Sequence, residues 1–409
     1  MRRNEMTRCV DENPTYSATQ RELLPKNNWC TYPSDVQAEL LVILGCLRDH
    51  FSDNDGKEPA KVPEQEISWD AVLSLARNHR VIPFLQARAE HLAAHECPAR
   101  FLRALDEGSK NTIYFNAIMA GELARLSNLF QANDIPVIAI KGCAQTRLLY
   151  KNLRMRGAGD IDLVTSSETV EKVHELILKA GYVWEWRYPQ YSWTRAVTRS
   201  LTNELRYRHK ATGILVELHW RFFLLRTLLP IEFDTILADS QTIEISQRHV
   251  KTLSDEHMIL LMLSHGALHS WSGLFWLCDV AQTFRGLGGL DWSGILDEAS
   301  RLGVYRSVTS GLIVSHLLLG SPLPHEVRLS AERDKTLPHL LSYVVRTLLA
   351  FHTGKKTFSG SLSEVRYKVR LGQALAYKME VLLVSPHTRG LLGRCWDRLM
   401  RTPLRLLTR

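Results

Sequence analysis

The sequence predicts an α+β fold, with a small mixed β-sheet core flanked by N-terminal and C-terminal helical regions. Three observations point to it. Short apolar runs of strand length, such as VIAI and DIDLV, gather in the middle of the chain. The segments ELRYRHK and GILVELHW flank Ala211-Thr212-Gly213, which reads as a β-hairpin. On either side the apolar residues return to helical spacing.

Residues 1–33 are polar and broken by Pro14, Pro25 and Pro33, the pattern of a flexible tail. Residues 34–133 form the N-terminal helical region. Val36, Leu40, Leu41, Ile43 and Leu44 fall near one stripe of a first helix, and SDNDGKEP is a linker rich in turn formers. Ser68 caps WDAVLSLARNH, and Pro83 opens the next helix. A long helix is expected from Arg100 to Ala132, stopped by Asn133-Asp134 before Pro136.

Residues 134–250 form the sheet core. VIAI (Val137–Ile140) reads as a buried strand that ends at Lys141-Gly142, after which CAQTRLLY resumes helical spacing. A basic loop, KNLRMRGAG, leads into the strand DIDLVT. Ser166 and Ser167 are caps for ETVEKVHELILKAGY, which Gly181 ends. Residues 251–409 are helical again, starting with Ser254 as the cap of SDEH and finishing in a basic tail.

The 409-residue chain is 45% hydrophobic and 23% charged, which is globular composition. A net charge of +8 favours anionic partners: nucleotides, nucleic acid or acidic lipid. The seven cysteines are scattered and form no Cys-x-x-Cys pair, which argues against a zinc site or a disulfide framework and for a reducing compartment. No apolar stretch follows Arg2-Arg3, and Met258–Leu263 and Leu312–Leu319 fall far short of the ~20 residues of a spanning helix. A cytoplasmic location is expected.

The chemistry gathers on a few acids. Side chains alternate along a strand, so Asp160 and Asp162 in GDIDLV share a face. Two carboxylates so close repel, and a divalent cation between them removes the conflict; Mg²⁺ (or Mn²⁺) takes one or two carboxylates together with phosphate oxygens. Asp-x-Asp alone also occurs in solvated turns. Glu217 strengthens the case, because an acid inside the apolar strand ILVELHW is costly unless it is paired or metal-bound. His219, on the face of Glu217, can orient a carboxylate, touch an acceptor or pack in the core. Lys141 and Gly142 sit where a strand opens into a helix, a place where phosphates dock. Lys151, Arg154 and Arg156 lie in the loop before the acids; Arg156 is a candidate for nucleotide binding, while Lys151 reads as solvated.

The order Lys-Gly, then Arg-x-x-x-Asp-Ile-Asp-Leu-Val, then Glu-Leu-His-Trp resembles the uncharacterised nucleotidyltransferase family of the DNA polymerase β superfamily. NHRVIPFL (Asn78–Leu85) and LSDEHMILLMLSHGALHSWSGLFWLCDV, with His265, His269, Trp276 and Asp279, resemble its flanking segments. The likeness runs roughly over residues 36–290. It implies a nucleotidyltransferase core at 134–250 that moves a nucleoside monophosphate from an NTP to an unknown acceptor hydroxyl or phosphate. Asp160 and Asp162 would hold both metal ions, and Glu217 would complete the acceptor-side one. The strand carrying Glu217 should then lie beside the strand carrying the aspartates. Two departures are visible: Lys141-Gly142-Cys143 stands where the superfamily usually has Gly-Ser or Gly-Gly, and no basic residue precedes Trp276.

Other features read as structural. His265 and His269 are four apart but lack a third zinc ligand, so packing is expected. Asp279 is expected to pair with a basic group or a helix end. The aromatics Tyr182, Trp184, Trp186, Tyr188, Tyr191 and Trp193 can stack a base or pack a strand. Arg389, Arg394, Arg398, Arg401, Arg405 and Arg409 make an amphipathic tail suited to an acidic partner or a membrane surface, although a simple terminal helix explains it as well. No nucleic-acid motif accompanies the charge. Two rival readings are a catalytically degenerate nucleotide-binding module and a helical scaffold.

Overall fold

The structure is a computed structural model of the chain and describes residues 37–51, 66–94, 97–185, 202–350 and 362–384. The N-terminal tail, the linker SDNDGKEP, the aromatics from Trp186 to Trp193 and the basic C-terminal tail lie outside the described residues.

The described chain enters through helices α1 (Gln37–Phe51), α2 (Trp69–Asn78), α3 (Ile82–Gln86), α4 (Ala89–Ala93) and the 33-residue α5 (Ala99–Gln131). The expected caps are present: Ser68 accepts the Ala71 N–H at 3.4 Å, and Pro83 occupies the first turn of α3. The chain then builds β1 (Ile138–Ala139), α6 (Cys143–Tyr150), β2 (Ile161–Val164), α7 (Val170–Lys179), β3 (Tyr182–Trp184), β4 (Glu204–His209) and β5 (Leu215–His219). Helix α7 starts later than Ser166 and Ser167 suggest, because Ser166 Oγ takes the Thr169 N–H in a preceding turn. After α8 (Phe233–Ala238) come β6 (Gln241–Ile245) and β7 (Arg248–Thr252).

The seven strands form one mixed sheet in the order β3-β4-β5-β2-β1-β7-β6, so the fold is α+β. β4 and β5 are the expected antiparallel hairpin, and β5 runs parallel to β2. The hairpin β6–β7 goes beyond the sequence reading. Its turn residues Ser246 and Gln247 both have positive φ, 49° and 60°, the geometry that Asn-Gly usually supplies and announces.

Among the described residues eight helices follow: α9 (Asp255–Leu268), α10 (Leu274–Gly286), α11 (Trp292–Arg301), α12 (Tyr305–Leu319), α13 (His325–Arg333), α14 (Leu337–Ala350), α15 (Leu362–Leu371) and α16 (Leu375–Val384). Ser254 caps α9 through the His257 N–H at 3.3 Å. Helices α9 and α12 enclose the buried Trp271; a Cβ at Gly266 or Gly311 would come within 2.3 or 2.4 Å of its indole.

One sheet face packs Ile161, Leu163, Val216 and Leu218 against α7 and the second half of α5, including Leu123, Leu126 and Phe130. The opposite face turns Ile138 and Val164 towards a larger core, which joins α1–α4 with α9–α16. Regions distant in sequence are fastened directly: Arg48 Nε donates to the Leu318 carbonyl at 2.8 Å, and Arg285 Nη1 to that of His50 at 2.6 Å. No helix among the described residues is long and apolar enough to cross a membrane.

Candidate active site

Strand alternation decides where the acids point. With Ile161 and Leu163 committed to one core, Asp162 turns to the opposite face, towards α9 and α10. Glu217 is its register partner on β5, and Val216 and Leu218 are buried behind it. Both carboxylates open into a cavity of about 280 Å³, whose walls also include Arg80, Lys141, Gly142, Arg156, Asp160, Arg206, His265 and Trp276. One ligand atom each from Asp162, Glu217 and His219 lie within 4.8 Å of one another. Asp160 stands one residue before β2, half-buried in the same cavity but outside that cluster.

Asp162 is almost fully buried, yet it is held ionised. Burial favours its neutral form, but the Lys141 ammonium 2.8 Å from Oδ1 and the hydrogen bond from His219 keep its carboxyl well below the usual range. An ionised carboxylate only accepts, so His219 Nε2 is the donor across 3.3 Å. On the other side of the ring, Nδ1 lies 3.4 Å from Asn203 Nδ2 and 3.5 Å from Glu204 Oε2. His219 therefore orients Asp162. Burial, then the neighbouring Glu204 and Asp162, push Glu217 up to about 7. Burial and Asp162 likewise raise Asp160.

Gly142 precedes α6 with φ +60°, and a Cβ there would lie 2.9 Å from the Asp160 carbonyl oxygen. Only glycine lets the start of α6 approach the acid loop so closely. Cys143, next in the chain, turns into the core, and burial pushes its thiol up to about 12. The cavity therefore receives backbone and Lys141 from this turn, with no hydroxyl.

Arg156 is buried against Asp279 at 2.7 Å; Asp279 also accepts from Tyr150 Oη and Gln145 Nε2, each at 3.0 Å. Asp279 thus takes the basic partner expected of it. The loop that carries Arg156 is clamped by Asn116 of α5. Its amide donates to the Leu153 and Arg156 carbonyls at 2.6 and 2.7 Å and accepts the Ala158 N–H at 2.8 Å. Lys151 and Arg154 are exposed.

The aromatic wall is built by His265, His269 and Trp276, with His269 stacked on Trp276 at 5.2 Å. Burial and the Lys141 ammonium keep the His265 imidazole well below its usual range, hence neutral. Tyr182 and Trp184 pack on the far sheet face.

Two cations of the cavity escaped the sequence reading. Arg206 stands opposite Glu217 in the hairpin and lies 3.0 Å from it and 2.9 Å from Glu204. That pairing follows from counting back through the Ala211-Thr212-Gly213 turn. Arg80 arrives from the turn after α2, and no local signal announces where that turn docks. The residue before Trp276 is Phe275, and the guanidiniums of Arg80 and Arg156 lie 5.3 and 5.6 Å from its ring centre.

Neither the curated proteins nor the solved structures contain a significant match to this chain. The family described as "Uncharacterised nucleotidyltransferase" matches residues 65–320, a span that holds every residue lining the cavity, from Arg80 to Trp276, and the chain belongs to that family.

Proposed function

We propose that the cavity transfers a nucleoside monophosphate from an NTP to an acceptor hydroxyl or phosphate, in the manner of the DNA polymerase β superfamily. The observation that carries this reading is the convergence of Asp162 and Glu217, with Asp160 beside them, in a cavity that also receives Lys141 and the start of α6. The donor set suits Mg²⁺ or Mn²⁺: it is rich in carboxylate oxygen, and the upward shifts of Asp160 and Glu217 mark negative charge crowded in a buried place. Asp160 and Asp162 would hold the ions, with Glu217 completing the acceptor side; bound there, the ions supply charge neutralisation and orientation of phosphate oxygens.

The chain's own groups do the rest. Lys141 and the N–H groups opening α6 meet the triphosphate. Arg156, fixed by Asp279, keeps the nucleotide-side wall cationic, and His219 holds Asp162 in place. As the acceptor oxygen bonds to the α-phosphorus, the bond to pyrophosphate breaks, and Glu217 is placed to take an acceptor proton.

A second reading, a nucleotide-binding module without turnover, draws on one observation: Lys141 and Arg206 already pair with Asp162 and Glu217. The test is incubation of the purified chain with each α-labelled NTP, Mg²⁺ or Mn²⁺ and a cell extract. Label transferred by wild type and lost with Asp160→Asn supports catalysis. Nucleotide binding without any transfer selects the module, and no binding overturns both.

A further inference from the structure

We propose that Arg80, delivered by the N-terminal helical region, is the side chain that grips the terminal phosphates of the nucleotide. This inference rests on the nucleotidyl-transfer reading of the same cavity. Its first support is the distribution of charge. Lys141 is paired with Asp162, Arg156 with Asp279, and Arg206 with Glu204 and Glu217. Arg80 lines the same cavity; its charge bears on Asp160, but among the described residues no carboxylate lies within 4 Å of it to form an ion pair. A metal-bound triphosphate remains an anion, and a guanidinium meets two phosphate oxygens at once.

Position is the second support. The cavity has two ends. Glu217 and Arg206 line the end read above as the acceptor side, and the Arg206 cation is already shared by Glu217 and Glu204. Asp160, Gly142 and Arg156 form the other. Arg80 belongs there: a Cβ at Gly159, the residue before Asp160, would lie 3.7 and 3.9 Å from its two terminal nitrogens. The guanidinium therefore stands over the backbone that presents Asp160, beside the phosphate-facing turn.

The third support is how firmly it is placed. Arg80 has φ 54°, a conformation that an L side chain rarely adopts. The turn is bolted to the start of α10: His79 is buried, its Nδ1 accepts the Leu274 N–H and its carbonyl the Phe275 N–H, each at 3.3 Å. The Phe275 ring then supports the guanidinium at 5.3 Å. Glycine or asparagine would sit in this turn more easily, so an arginine held there against backbone preference fits a role for its charge.

The experiment uses the full chain and calorimetric titration with inorganic tripolyphosphate at saturating Mg²⁺, a probe independent of the unknown base. Wild type should bind it, and Arg80→Gln should weaken binding about tenfold or more. Arg80→Lys should recover part of the loss. Arg80→Gly, which relieves the positive φ, should melt no earlier than wild type and bind as weakly as Arg80→Gln. In transfer assays the KM for NTP should rise in Arg80→Gln more than kcat falls. If wild type binds tripolyphosphate and Arg80→Gln binds equally well, the role of Arg80 is overturned while nucleotidyl transfer stands. If wild type binds neither tripolyphosphate nor any NTP, both readings fall.

Discussion

Lys141 reaches from the end of β1 to Asp162 on β2, its ammonium nitrogen 2.8 Å from Oδ1. The contact separates two substitutions that repulsion between the acids alone would treat alike. Asp160→Asn removes a crowded charge, so stability should hold or rise slightly. Asp162→Asn leaves a largely buried ammonium without its counter-charge and should cost about 3 kcal/mol. Both should abolish transfer. Urea unfolding and the labelled-NTP assay check the pair; equal stability losses in the two would show that Lys141 does not depend on Asp162.

Glu217 gives a pH signature. Its carboxyl is raised from 4.5 to about 7 in the folded chain, first by burial and then by Glu204 and Asp162. Between those values the folded state binds more protons than the unfolded one, so this group's contribution to stability falls as pH rises. Allowing for partial solvent screening, the decline from pH 4.5 to 7 should be about 2 kcal/mol without divalent cations. Glu217→Gln should flatten it. Mg²⁺ should stabilise wild type more at pH 8 than at pH 6, because the protonated carboxyl competes with the ion. Thermal melts across pH with Mg²⁺ and with a chelator measure both effects.

Asn116 lies far in sequence from the acids but clamps the loop that leads to them through three hydrogen bonds. Asn116→Ala should cost about 2–3 kcal/mol and reduce transfer by slackening Arg156 and Asp160. Unchanged kcat in a destabilised variant would confine Asn116 to a folding role.

In the Arg156–Asp279 pair Asp279 is fully buried and the Arg156 side chain is only 11% exposed. Removing either partner strands the other's charge, so Arg156→Ala and Asp279→Ala should each cost about 3–5 kcal/mol. The double variant should lose much less than the sum, a coupling that a double-mutant cycle measures directly.

Much of this was legible in the sequence because it follows from local periodicity. Alternation along DIDLV and ILVELHW set Asp162 on the face opposite Ile161 and Leu163, and Glu217 on the face opposite Val216 and Leu218; the segments flanking Ala211-Thr212-Gly213 announced the hairpin that carries Glu217. Ser68, Ser254 and Pro83 announced helix starts through short-range capping chemistry. The β6–β7 hairpin was hidden because Ser246 and Gln247 adopt positive φ without the residues that signal it. Arg80 was hidden for another reason: its role depends on α2 docking near α10, about two hundred residues on, which no local pattern encodes. Arg206 was countable from the turn, because the register pairs it with Glu217.

The bond between Arg48 and the Leu318 carbonyl spans 270 residues, and that span has a consequence during synthesis. The first helices leave the ribosome long before α9–α12, the partners for much of their apolar surface, exist. At typical rates of elongation the interval is roughly 15 to 50 s. For that time the sheet can begin to assemble from its own segment, whereas α1–α4 must wait with leucines and phenylalanines uncovered. A nascent chain halted near residue 250 should therefore hold a partly ordered sheet tethered to sticky, unfinished helices, and should recruit holdase chaperones more strongly than the released protein.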